Sequence, residues 1–175
     1  MSTALQTTLD SHLRPLRLFW LMEVATLVVL GGVFLVATPT SIEGAEQYGT
    51  IFIPIALLQA AILFFLRVRT MGSLALRSPD DLRAEQTVEG RALQDAVEKA
   101  AQRYWGGTVV GLALAESIGL LGFVYAWVTA SLTNYLGFGL FALVLVSIQI
   151  PTRTGMTAVL TGPERKGLRR ALHEE

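Results

Sequence analysis

One acid stands where chemistry is least expected. The stretch GLALAESIGLLGFVYAW, Gly111 to Trp127, is apolar, small or aromatic around the single carboxylate of Glu116. Counted from Trp105, taken as the inner boundary, Glu116 lies 11 residues into an apolar segment. At ~1.5 Å per residue that is roughly 16 Å, near the middle of a ~30 Å hydrocarbon layer. So short a side chain cannot snorkel to water from that depth. An ionised carboxyl there costs at least about 3 kcal/mol, so Glu116 is expected to be protonated, hydrogen-bonded or beside a hydrated cavity. Such a group can bind and release a proton, or tie helices together as a hydrogen bonder.

Its neighbours narrow the choice. Gly107, Gly111, Ala115 and Gly119 recur every four residues and form a stripe of small side chains that lets helices approach closely. Glu116 sits at the edge of that stripe, with Ala113 and Gly119 three residues to either side. Gln59, near the centre of another apolar segment, can donate and accept. Ser117 follows Glu116 directly. Glu23 falls only a few residues past the start of the first apolar segment and is expected to reach the headgroups. Pro54 is expected to kink the second segment and free a carbonyl.

These residues lie on elements that composition alone singles out. Of 175 residues 52% are hydrophobic and 16% charged, with mean hydropathy +0.51; soluble domains carry about 25% charged residues. Four segments read as membrane spans, at about 16–37, 50–68, 106–130 and 134–150. The first is too long for a signal-peptide core and lacks a small-residue cleavage site, so it is expected to be retained. The loop 38–49 holds Glu43 and Glu46 and no base, and the turn 131–133 has no charge. All 14 Lys and Arg lie in the N-terminal tail and first turn, the segment between the second and third spans with its junctions, and the C-terminal tail. The positive-inside rule then places both termini and that segment in the cytoplasm. Trp20 and Trp105 mark the inner boundary; Tyr48, Trp127 and Tyr135 mark the outer one.

The expected fold is therefore all-α: one membrane domain, a four-helix transmembrane bundle with a cytoplasmic helical linker at 70–104 and a cytoplasmic tail at 153–175. Within the linker, Ser78-Pro79-Asp80-Asp81 reads as a helix start. Beyond Gly90, the residues Leu93, Val97, Ala100, Ala101 and Tyr104 follow helical spacing opposite Asp95, Glu98, Lys99 and Arg103. This amphipathic helix should lie on the inner membrane surface, extend from the third span, or serve as a solvated connector. In the tail, Arg165, Lys166, Arg169 and Arg170 suit anionic lipid headgroups.

Gly111 to Trp127 resembles the ion-carrying helix of ATP synthase subunit c, the proteolipid, with Ala113, Ala115, Glu116, Gly119, Gly122 and Phe123 at the matching positions. The resemblance implies that Glu116 takes up and releases an ion at mid-membrane. It also implies that Gln59 and Ser117 stand where sodium-binding members ligate the ion. Ile118 and Leu121 replace polar residues of those members, which points to a proton. The chain departs from that family in lacking the glycine repeat on 50–68, in its long linker and in two additional spans. In outline it is similar to uncharacterised four-span bacterial membrane proteins with a subunit c-like third helix, which implies the bacterial inner (cytoplasmic) membrane.

Other classes find no support. Cysteine is absent, excluding disulfides, thiolate metal sites and thiol nucleophiles. His12 and His173 lie near opposite ends, and no metal site is expected of them. No HExxH, Walker loop, nucleotide fingerprint or Ser–His pairing occurs, so neither an enzyme nor a cofactor is expected. Nor is nucleic-acid binding. The expected partners are the lipid bilayer and, by self-association or otherwise, subunits of a membrane complex. Two functions remain open: proton binding or energy coupling through Glu116, and a structural or assembly role without transport.

Overall fold

The computed structural model describes residues 2–37, 39–71, 90–160 and 162–173, and every regular element among them is helical. In chain order these are α1 (Ser2–Val36), a 3-10 turn (Ala45–Tyr48), α2 (Gly49–Met71), α3 (Gly90–Thr129), α4 (Leu132–Ile148), α5 (Arg153–Ala158) and α6 (Gly162–His173). α1, α2 and α3 are each long and apolar enough to cross a membrane; α4 is an apolar helix of 17 residues. The expected helix start at Ser78–Asp81 lies outside the described residues. Pro54 sits inside α2 without ending it.

The chain divides into two compact units. The apolar unit comprises Leu18–Phe65 and Val109–Ile150. Its core joins Leu27, Ala56, Leu63, Leu112, Ala115, Ile118, Ala142, Leu145 and Val146. Contacts fix the helix directions. Leu27 meets the position of Gly119, and Phe34 stacks edge-on to Trp127, so α1 and α3 run parallel. Trp20 Nε1 donates to the Val146 carbonyl at 2.9 Å and the Tyr135 hydroxyl donates to the Leu27 carbonyl, so α4 runs antiparallel to α1. The same carbonyl also accepts from the Gln149 N–H at 2.9 Å, so it serves two donors at the end of α4. Tyr135 is buried among the helices of this unit. The outward faces remain apolar: Leu18, Met22, Leu35, Leu58, Phe64 and Phe65 are each more than half exposed.

The turn between α3 and α4 is short because α3 ends in a Schellman motif. Ala130 adopts φ 52°, the Ser131 N–H donates to the Ala126 carbonyl at 3.0 Å, and the Ala130 N–H to the Trp127 carbonyl at 3.4 Å.

The terminal unit comprises Met1–Arg17, Leu66–Thr108 and Pro151–Glu175. Leu9, Leu13 and Leu16 are buried at helical spacing, as are Leu93, Val97, Ala100, Ala101 and Tyr104. Met156, Leu160 and Leu168 are buried in the C-terminal segment. Arg153 grips Asp10 through both carboxylate oxygens, at 2.7 and 2.6 Å. The Thr152 N–H donates to the Tyr104 hydroxyl at 3.2 Å, while the Thr152 side chain caps α5 by accepting from the Gly155 N–H. Arg165 donates to the carbonyls of Ala158 and Leu160, closing the end of α5. The amphipathic segment is continuous with the apolar stretch that follows it in α3. α3 runs unbroken for 40 residues, about 60 Å, and the apolar side of its first turns is buried within this unit.

Candidate functional site

Glu116 projects from α3 at the margin of that helix's buried face, between Leu112 and Ala115 on one side and Gly119 on the other. What it meets is a second acid. The side chain of Glu23, on α1, lies beside that of Glu116, close enough for the two to interact electrostatically. Glu23 is 6% exposed. This corrects the expectation that Glu23 reaches the headgroups. The cause is register: Leu16, Trp20, Glu23, Leu27, Leu30 and Phe34 fall on one face of α1. Glu23 is thus carried inward with residues that pack.

The close approach of α1 and α3 depends on glycine. A Cβ on Gly119 would stand 2.2 Å from Leu27 Cδ2, one turn beyond the acid pair on both helices. Ala115 is fully buried. A Cβ on Gly111 would press on the Gln149 amide at 2.9 Å. Three of the four residues of the small stripe, Gly111, Ala115 and Gly119, are therefore buried, with Gly107 half-buried. The tightest approach lies outside the stripe: a Cβ on Gly122 would stand 2.1 Å from Phe138 Cβ.

The electrostatics of the pair are one-sided. The apolar unit contains four acids, Glu23, Glu43, Glu46 and Glu116, and no Lys or Arg. No N–H or hydroxyl of the described residues donates to the buried Oε2 of Glu23. Ionised carboxyls have only acceptors, so the two side chains can bond to each other only when one of them carries a proton. Two acids without a counter-ion in an apolar core form a group suited to holding a single shared proton.

The other expected site residues are placed differently. The Ser117 hydroxyl donates to its own helix, at the Leu114 carbonyl, 2.9 Å away. Gln59 is half-buried on α2, its Oε1 buried and without a hydrogen-bond partner among the described residues. The structure thus joins Glu116 to Glu23 and brings neither Gln59 nor Ser117 into hydrogen bonding with it. No group of three or more His, Cys, Asp or Glu among the described residues could hold a metal ion.

Comparison with protein-family models, with curated proteins and with solved structures gives no match to this chain.

Proposed function

We propose that this chain is an integral membrane protein that binds and releases a proton at the Glu23–Glu116 pair. In this reading α1, α2, the later part of α3 and α4 are four spans of the bacterial inner membrane, and both termini and the segment between α2 and α3 are cytoplasmic. The parallel course of α1 and α3 and the antiparallel course of α4 suit that topology. So does the confinement of every Lys and Arg to the terminal unit. The observation that carries the function is the meeting of two carboxyls in an apolar core with no cation in the unit. Protonation of one acid neutralises half the charge and supplies the missing donor. Coupling to a partner complex would draw on the same proton.

A second reading is favoured by Gly119 against Leu27. The pair then serves as a fixed hydrogen bond in a packing face, and the chain is a structural or assembly subunit.

Carbodiimide labelling separates the two. Dicyclohexylcarbodiimide reacts with protonated carboxyls in apolar sites. In purified protein at a series of uniform pH values, a proton site gives labelling at Glu116 or Glu23 that follows a titration curve and falls in Glu23→Gln and Glu116→Gln. Labelling that is absent, or constant across the range, supports the structural reading instead.

A further inference from the structure

Resting on the proton-site reading, we propose that the Glu23–Glu116 pair exchanges its proton with one face of the membrane only, the face at the Trp20 end of α1, and is sealed from the other by an aromatic plug.

The two directions away from the pair differ in chemistry. Toward the end of α3, successive contacts are apolar. Leu27 fills the space at Gly119, and Phe138 fills that at Gly122. Beyond these, Phe34, Phe123, Trp127 and Tyr135 form one connected cluster. Phe34 stacks on Tyr135 with ring centres 6.5 Å apart, Phe123 meets Tyr135 edge-on at 6.2 Å, and Trp127 lies 5.5 Å from Phe123. Leu30 and Leu132 pack against this cluster. Its one inward polar group, the Tyr135 hydroxyl, is occupied by the Leu27 carbonyl. A proton needs a chain of hydrogen-bonding groups or water, and the side chains that fill the first contacts on this side, Leu27 and Phe138, have no hydrogen-bonding group.

Toward the start of α1 the chemistry is polar. Apart from Glu23 itself, the buried polar side chain among the described residues of the apolar unit is Gln149, whose amide lies against Gly111, five residues before Glu116. Trp20 turns its N–H to the end of α4, one turn before Glu23. An amide that both donates and accepts can relay a proton or hold a water. The groups facing the pair are few. α1 contributes Glu23 itself and α3 contributes Glu116. α2 and α4 contribute no acid or base within the unit. On the plugged side the acids are Glu43 and Glu46, in the loop before α2, where Ile42 bonds to Val128 beside Trp127.

Sided labelling tests this. The chain is reconstituted into sealed vesicles, and its orientation is read by trypsin, since every Lys and Arg lies in the terminal unit. The pH is then set separately inside and outside, and carbodiimide labelling at Glu116 is quantified by mass spectrometry. We expect labelling to rise with acidity on the Trp20 face, about tenfold per pH unit above the midpoint, and to ignore the Trp127 face. Trp127→Ala and Phe34→Ala should each make labelling respond to both faces; Trp127, being half-exposed, provides the variant that perturbs folding least. Labelling in the unaltered chain that follows the Trp127 face, or both faces equally, overturns one-sided access while leaving the proton site intact. Plug variants that leave sidedness unchanged overturn the assignment of the seal. Labelling without any pH dependence at uniform pH removes the proton site and this inference with it.

Discussion

Glu23 of α1 and Glu116 of α3 face each other as two carboxyls in a helical unit that contains no Lys or Arg. Each is the other's only acidic or basic neighbour there. Removing one therefore has a different consequence from removing both. Glu116→Leu leaves Glu23 buried with no partner and should cost about 2–3 kcal/mol. Glu23→Leu should do the same. The double variant replaces both acids by apolar groups and should be more stable than either single one, an interaction of at least about 1 kcal/mol in a double-mutant cycle. Reversible denaturation in detergent micelles reads this out; additive losses would show that the acids do not interact.

The two tight glycines predict unequal damage. At Gly119 the obstructing atom is Leu27 Cδ2, the end of a side chain with rotamers to spare. At Gly122 it is Phe138 Cβ at 2.1 Å, with the Phe138 Cα at 3.4 Å, so only backbone movement of α4 relieves the clash. Gly122→Ala should cost at the upper end of the roughly 1–3 kcal/mol of core overpacking and Gly119→Ala nearer the lower. The same denaturation measurement ranks them, and equal losses would contradict the contact geometry.

Ala130 holds a left-handed conformation that glycine adopts without a Cβ penalty. Relief of about 1–2 kcal/mol is partly offset by the greater freedom of glycine in the unfolded chain. Ala130→Gly is expected to stabilise the protein by up to about 1 kcal/mol, and Ala130→Val to destabilise it. A thermal melt of the two variants checks the sign of each.

The helices were legible because their signals are long and redundant: hydropathy marks the apolar stretches of α1, α2 and α3, and Leu93, Val97, Ala100, Ala101 and Tyr104 repeat with the helical period. Glu116 was legible because no other acid shares its segment. Glu23 was misplaced because its depth was counted from the end of an apolar run, and α1 begins 14 residues before Leu16. The signal that finds it is the face it shares with Leu16, Leu27 and Phe34. Gln59 and Ser117 were chosen by position and hydrogen-bonding capacity, and by likeness to an ion-binding helix. Such a likeness does not encode rotamers: a serine inside a helix bonds readily to a carbonyl of its own preceding turn, as Ser117 does. The aromatic cluster was not foreseen, because Phe34, Phe123, Trp127 and Tyr135 come from three helices and meet only on packing.

The most direct test of the proposed shared proton is infrared difference spectroscopy of the purified protein through a pH titration, with the carboxyl stretch of protonated glutamate as the signal. The account predicts one protonated carboxyl per chain that titrates as a single buried group and disappears on full ionisation. It also predicts that Glu23→Gln and Glu116→Gln each shift the midpoint of whatever carboxyl remains. A carboxyl signal that is absent at every pH, or one that neither substitution alters, would contradict it.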